Sequence, residues 1–447
     1  MTEERTTRAS VLVAVSGAAI GVIFGYDLGS IAGALPGITR EFNLSPLAAG
    51  WVNGVVVLSQ LVGALVAGRL NDLFGRRRTM IGIAAGYAVV AVLQSLATDV
   101  VMLDVVRVGL GLTIGVSMVA APLYVAEISP ARLRGRFVAM YQVACVGGIF
   151  VTYLVNYLLS FGGGWRLMLG LAAVPAVLVL GCLVVLPESP RWLVLVGRDA
   201  EAADVLRRTD PARADDALAG LVAEVRSESA RTGSLRDLWA PRYRRATVFV
   251  VLLGVFAQLT GINAITYYSP TVFAALGFDT AGSYGWPTVV QFFAVLATVG
   301  SLFVVDRLGR RFTLLTGLTA MAAAALTLSA VFWPGQPTGA GPWIGFAAAL
   351  VFTCAFSGGF GSVVWVYAAE AYPVQLRATG SSLMLVSAML ANVVVAEGFL
   401  WAAAGPGMGA VFGFFAAVGA VAVAYLAVRA PETAGQSLEQ AHHQHDR

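Results

Sequence analysis

Two ionisable side chains stand inside runs of otherwise apolar residues. Asp27 follows Phe24-Gly25-Tyr26, and Arg107 lies between Val106 and Val108. A charge in a lipid-embedded segment costs at least about 2.5–3.5 kcal/mol, so it needs a partner or a task. Asp27 lies about eight residues from the far end of its run, and Arg107 about seven from the near end of its own. At 1.5 Å per residue both come to roughly 10–12 Å from the same surface, so the two can meet. A carboxylate beside a guanidinium stays charged, whereas one that loses that neighbour in apolar surroundings takes up a proton. A cycle that parts and rejoins the pair would make Asp27 bind and release a proton; the alternative is a static ion pair. A proton crossing about 100 mV supplies about 2.3 kcal/mol, enough for roughly fiftyfold accumulation of a neutral solute. Asp104, one turn before Arg107, either helps to position it or faces the outer vestibule, and the vestibule is the expectation.

A second set of charges recurs. Asp72-x-x-Gly75-Arg76-Arg77 returns as Asp306-x-x-Gly309-Arg310-Arg311. Glu127, Pro130 and Arg134 return at the same spacing as Glu370, Pro373 and Arg377. Pro187-Glu188-Ser189 is echoed by Pro431-Glu432-Thr433. The offsets are 234, 243 and 244 residues (72 to 306, 127 to 370, 187 to 431). Acids and arginines at helix ends form bidentate bridges. The paired set, with Glu188 and Arg191, therefore reads as a latch at one end of a helical bundle as well as a simple topology signal.

A third set is neutral and polar. Gln258, Asn263, Tyr267 and Tyr268 share one apolar run, Trp365 stands in another, and Asn392 in a third. Amides donate and accept at once, which suits a hydroxyl-rich solute, and an indole offers a flat apolar face. Tyrosine and tryptophan also serve as packing residues or interface anchors. Glu397 is an isolated acid in the run that holds Asn392. It is a candidate extra acid, for a cationic group or a second proton, or a residue facing a water-filled vestibule. No nucleophile, general base or metal constellation appears. Gly109, Gly111 and Gly115 have no strand before them and read as small residues for helix packing rather than a phosphate loop. His442, His443 and His445 sit in a polar tail and read as incidental. Cys145, Cys182 and Cys354 lie singly in apolar runs, so neither a disulfide framework nor a zinc site follows.

The elements that must position these residues follow from hydropathy. The chain has 447 residues, 58% hydrophobic and only 12% charged. Soluble domains carry roughly 25% charged residues, so a bilayer must act as part of the solvent here. Crossing one takes about 20 residues of helix. Twelve runs qualify, near 10–34, 47–70, 79–97, 100–124, 136–159 and 166–186, then 245–276, 286–305, 312–332, 342–368, 380–404 and 409–429. The first is expected to be a retained span rather than a cleaved signal. The expected organisation is a six-helix bundle over 1–186, a linker with short helices over 187–244, a second bundle over 245–430 and a tail over 431–447. With the three repeated motifs, this predicts an all-α membrane protein of twelve transmembrane helices in two pseudo-symmetric six-helix bundles, the solute site lying near the midplane.

Arginine fixes the orientation. All 29 basic residues are Arg, and the net charge is +4. They crowd the ends of the even-numbered runs and the linker, while the opposite loops hold little beyond Arg40 and Arg166. Positive loops stay inside, which predicts cytoplasmic termini and linker and accounts for the basic balance without nucleic acid.

Taken in order, several segments resemble the sugar porter family of the major facilitator superfamily, over essentially the whole chain. They are Phe24-Gly25-Tyr26-Asp27, Arg107-Val108-Gly109-Leu110-Gly111, Pro187-Glu188-Ser189-Pro190-Arg191-Trp192-Leu193, Gly261-Ile262-Asn263-Ala264-Ile265 with Tyr267-Tyr268, and Pro431-Glu432-Thr433 with Gly435 and Ser437-Leu438-Glu439. The resemblance implies a mostly monomeric plasma-membrane transporter without a cofactor. It places an acid like Asp27 in the proton symporters of the family, and charge bridges that tie helix ends when the cytoplasmic side is closed. The chain also departs from the family pattern. The usual polar positions for a hexose fall on Ile149, Ala257, Ala294, and Ala388 with Met389. Each hydrogen bond lost is worth about 0.5–1.5 kcal/mol, so the pocket suits a less hydroxylated or partly apolar solute.

The reading is therefore a secondary transporter: proton-coupled symport of a small sugar-like or polyol metabolite by alternating access. An exporter of a partly apolar metabolite or drug is the alternative. A solute sensor on the same scaffold ranks last because the tail is short, and an enzyme is not expected.

Overall fold

Lipid offers no hydrogen bonds to a backbone, so a spanning segment must satisfy its own amides and carbonyls, and the helix does this within one segment. The computed structural model describes residues 8–129, 134–162, 164–209, 214–228 and 235–431, with the backbone alone at helix positions 8–20, 134–139, 209, 227–228, 306, 369 and 374–375. Among the described residues twelve helices are long and apolar enough to cross a membrane. Spans one to six are Gly21–Glu41, Pro46–Phe74, Arg76–Ser95, Val100–Ile128, Met140–Leu159 and Gly164–Val185. Spans seven to twelve are Arg244–Ala275, Thr280–Val305, Arg310–Phe332, Gly341–Ala368, Leu376–Ala404 and Met408–Arg429.

Two ends differ from expectation. The first helix, Arg8–Glu41, runs seven residues past the expected stop, straight through Pro36. Span eight starts at Thr280 and runs through Pro287, its first turn capped by Asp279, whose carboxylate accepts from the Gly282 amide at 2.8 Å. Proline removes one helix bond, a lesser fault inside a packed membrane bundle than in water.

Three spans are interrupted. Span six is two helices, Gly164–Gly170 and Ala173–Val185. Span seven breaks between Leu259 and Ile262, where Gly261 takes φ 95, a left-handed conformation that glycine adopts freely. Span ten carries one π-helical turn, Phe356–Phe360, just before the segment that holds Trp365. Such turns are rare and concentrate at functional sites.

The helices gather into two compact units. One holds the chain up to Asp27, Ser59–Ile149 and Leu169–Thr232; the other holds Leu28–Leu58, Phe150–Met168 and everything from Gly233. Spans one, two, five and six thus each change unit along their length, and in each the portion nearer the loops that hold few arginines belongs with the C-terminal spans. In the first unit span three packs on spans four and six; in the second, span nine packs on spans ten and twelve. Small residues let helices close up: a Cβ on Gly25 of span one would lie within 2.8 Å of the Cys145 carbonyl carbon of span five. The linker supplies short helices Pro190–Leu195, Asp199–Thr209 and Ala214–Glu228, joined by a small core of Trp192, Leu193, Ala202 and Val205.

The repeat reaches down to backbone angles. Gly75 (φ 90, ψ 159) turns the chain from span two to span three, and Gly309 (φ 88, ψ 151) turns it from span eight to span nine. Only glycine occupies that region without strain of about 1–3 kcal/mol. A Cβ on Gly75 would also meet Glu188 Oε2 at 2.5 Å. Gly75→Ala should therefore lower the melting temperature of the purified protein in detergent. Gly82→Ala, in span three with nothing within 4 Å of its Cβ, should leave it unchanged or slightly raise it.

Candidate functional site

The first unit holds the charged pair. Asp27 and Arg107 are 8% and 2% exposed, and Arg107 stands close enough for its charge to act directly on Asp27. Tyr87 of span three donates to Asp27 Oδ1 at 3.4 Å, and Arg107 Nη1 donates to Gln94 Oε1 at 3.1 Å. Span three therefore supplies one partner to each charge. Sequence reading missed both Tyr87 and Gln94; the signal available was their spacing of seven, two turns along one face of an apolar helix. Asp104 is half-buried, its Oδ1 without a hydrogen-bond partner and within reach of the Arg107 charge.

The second unit holds the neutral set. Asn263 Nδ2 donates to Gln258 Oε1 at 2.6 Å and to Asn392 Oδ1 at 2.9 Å. Asn392 Nδ2 then donates to the Tyr267 hydroxyl at 3.2 Å. Four of the six sequence-selected polar residues thus form one hydrogen-bonded chain across spans seven and eleven. The break at Gly261 is what lets Gln258 and Asn263 meet, since five residues along an unbroken helix do not face one another. Gln258, Tyr267 and Asn392 are buried, and Asn263 is half-exposed. Gln258 Nε2 and Asn263 Oδ1 have no hydrogen-bond partner among the described residues, which leaves a donor group and an acceptor for a solute.

Tyr268 serves packing: it stacks on Phe399 at 4.9 Å and donates to the Ala396 carbonyl. Trp365, 43% exposed, makes no hydrogen bond or ring contact among the described residues. Glu397 lies against a notch in span two. A Cβ on Gly50 would meet its backbone carbonyl at 2.4 Å, and one on Gly54 would meet its carboxylate oxygen at 2.8 Å. Ala257, Ala294 and Ala388 are buried, and Ile149 backs onto span one. An amide is nonetheless present in span eight: Gln291, one turn before Ala294, is buried and stands beside Tyr153 of span five.

The charged helix ends are built alike in both units. In the first, Arg76 binds Glu127 with two hydrogen bonds, Nε to Oε2 at 3.0 Å and Nη2 to Oε1 at 3.3 Å, and reaches Asp72 at 3.1 Å. Ser189 also donates to Glu127, Arg191 stands 3.9 Å from it and pairs with Glu224 at 3.1 Å. Arg77 donates from Nε to the Leu183 carbonyl at 3.0 Å and from Nη2 to that of Val184, capping span six, while its amide donates to Glu188 at 2.8 Å. In the second unit Arg310 pairs with Glu370, and Arg311 caps span twelve on the Ala427 carbonyl at 2.6 Å. Tyr124 donates to the Pro187 carbonyl at 2.8 Å, and Tyr367 to that of Pro431 at 2.7 Å.

The copies differ in strength. Arg76 and Glu127 are each 5% exposed, Arg310 and Glu370 24% and 14%. Arg377 Nε and Glu370 Oε2 are each buried without a hydrogen-bond partner among the described residues. The side chains of Arg134 and Asp306 lie outside the described residues, as do Glu432 and the histidines of the tail. Glu127→Gln leaves a buried guanidinium short of its countercharge and should cost about 3 kcal/mol of stability, read as a lower melting temperature in detergent. Glu370→Gln, in the more open pair, should cost less.

Comparison with known proteins matches this architecture. The family model described as sugar (and other) transporter matches residues 13–444. The arabinose-proton symporter of Escherichia coli (strain K12) is 33% identical over 442 residues, 97% of this chain and 93% of that protein. The galactose-proton symporter of the same strain is 33% identical over 425 residues, 94% of this chain and 90% of the relative. Among solved structures, the proton:xylose symporter XylE of the major facilitator superfamily, bound to 6-bromo-6-deoxy-D-glucose, superposes with a TM-score of 0.80 at 26% identity, covering 97% of this chain and 98% of the other. Family model, relatives and fold agree along the whole length: the chain is a multi-pass membrane transporter, not an enzyme, and it belongs to the sugar (and other) transporter family.

Proposed function

We propose that this protein carries a small sugar or polyol together with a proton by alternating access, with Asp27 as the proton-binding group and Arg107 as the partner that sets its charge state. The observation that carries the reading is a carboxylate buried in a membrane span beside a guanidinium, each held by a neutral partner from span three. Tyr87 and Gln94 can keep the two side chains in place while the proton comes and goes, because neither bond needs Asp27 to be charged. The relatives that bear the words arabinose-proton and galactose-proton symporter favour a monosaccharide over the partly apolar cargo of the exporter reading.

The solute would bind on the amide chain of Gln258, Asn263, Asn392 and Tyr267, with Trp365 covering its apolar face. The buried alanines at 257, 294 and 388 remove hydrogen bonds, and Gln291 returns one. A monosaccharide with fewer hydroxyls than a hexose is the best match, a pentose before an inositol. The arginine-rich helix ends lie in the cytoplasm with both termini, following the positive-inside rule, in the plasma membrane. The protein works as a monomer, each chain holding both the proton site and the solute site. In the cytoplasm-closed state the Arg76–Glu127 and Arg310–Glu370 pairs, with their neighbours, latch the helix ends.

In proteoliposomes with an imposed pH gradient, across pentoses, hexoses and inositols, the wild-type protein should accumulate a pentose or hexose uphill. Asp27→Asn should abolish that accumulation while solute exchange across equal pH persists. A variant that still concentrates solute would remove Asp27 from the coupling.

Asn263→Ala and Trp365→Ala should each weaken apparent affinity for the transported sugar. The expected loss is about tenfold for Asn263, which organises two other amides, each bond being worth about 0.5–1.5 kcal/mol. Unchanged affinity in both would place the solute elsewhere.

A further inference from the structure

Span seven has a second irregularity beyond its break at Gly261. Pro270 lies inside the helix Ile262–Ala275, and Tyr268 leaves helical geometry at φ −123, ψ 17. Proline has no amide hydrogen, so the carbonyl four residues earlier, that of Thr266, loses its helical donor. In a buried, water-poor place an orphaned carbonyl costs free energy unless another donor reaches it. The donor comes from span five: the Tyr153 hydroxyl lies 2.5 Å from the Thr266 oxygen and 3.2 Å from Ser269 Oγ. Tyr153 is 2% exposed. Span eight holds it from the other side, with Gln291 beside its side chain and Thr288 Oγ1 donating to its carbonyl at 3.1 Å.

All these residues belong to the unit in which Leu28–Leu58 and Phe150–Met168 pack with the C-terminal spans. Side-chain donors of the same unit also reach carbonyls of span one. Asn156 donates to the Gly29 carbonyl at 2.9 Å, and Tyr284 to that of Gly33 at 3.0 Å. Tyr153 differs because the carbonyl it reaches has lost its α-helical donor to Pro270. Thr266 also adjoins Tyr267, the last member of the amide chain, so this acceptor stands one residue from the proposed solute site.

We propose that Tyr153 is a gating and specificity-determining residue: its hydroxyl plugs the Thr266 carbonyl while the arginine-poor ends of the spans are together, and releases that acceptor to water or to a sugar hydroxyl when they part. The proposal rests on the alternating-access reading above. A phenol and a sugar hydroxyl are interchangeable donors, so an arriving hydroxyl can replace the bond that opening breaks. Solutes lacking a hydroxyl at that point leave the carbonyl unsatisfied and are selected against. Proline creates the acceptor and tyrosine occupies it, so each residue has its role only in the presence of the other.

The test is a two-by-two set: wild type, Tyr153→Phe, Pro270→Ala and the combined variant, all reconstituted in solute-free liposomes. Deuterium uptake by backbone amides is measured over 28–58 and 150–168. Tyr153→Phe keeps the ring and should raise uptake over both segments, with opening favoured about fivefold, the worth of one hydrogen bond. Pro270→Ala returns an amide to Thr266, so adding Tyr153→Phe to it should change uptake little. Unchanged uptake in Tyr153→Phe alone overturns the proposal, and this single variant decides it even if Pro270→Ala fails to fold. An equal increase in both backgrounds also overturns it, because the phenol would then act without reference to the proline-freed carbonyl. Uptake without solute does not depend on which sugar is carried, so failure of the sugar panel would leave this result standing.

Discussion

The constraint behind every feature of this protein is that a polar group in lipid must find its partner inside the chain. An unsatisfied carbonyl or charge in hydrocarbon costs several kcal/mol, more than most single contacts return. The molecule meets this at three grades. Helical hydrogen bonds serve most of the backbone. Hydroxyls and amides reach backbone groups where a proline, a glycine or a helix end interrupts the ladder, as Tyr153, Tyr124 and Tyr367 do. Full charges sit where another charge can answer them, as Asp27 and Arg107 do, and Arg76 with Glu127. A carrier needs the last two grades to be exchangeable, because its polar groups change partners in each cycle.

Much of this was legible in the sequence. Hydropathy alone gives the number of spans, since about 20 apolar residues admit few other readings. The repeated Asp-x-x-Gly-Arg-Arg motif foretold more than charge. Its glycine takes nearly the same backbone angles in both copies, and its second arginine caps the sixth span of its repeat both times, span six and span twelve. The amides of spans seven and eleven could be selected because side chains that both donate and accept are scarce in apolar runs.

What the sequence hid has a common cause. A lone tyrosine in an apolar run looks like packing, and nothing local separates Tyr153 from Tyr141. Its role appears only once Pro270, more than a hundred residues later, is known to free the carbonyl opposite. Tyr87 and Gln94 were likewise hidden because their significance depends on which helix faces them. The ends of two spans were drawn short, because Arg8–Glu41 continues through Pro36 and Thr280–Leu308 starts ahead of Pro287.

The arginine caps carry one more consequence. Arg77 engages two carbonyls of span six with separate nitrogens while its own amide is held by Glu188, and Arg311 engages a carbonyl of span twelve. A guanidinium occupied in this way has fewer donors left for a phosphate headgroup. Neutral carbonyls take up donors but leave the guanidinium charge whole, so the rim keeps the positive charge counted from the sequence while fewer of its nitrogens are free to grip a single headgroup.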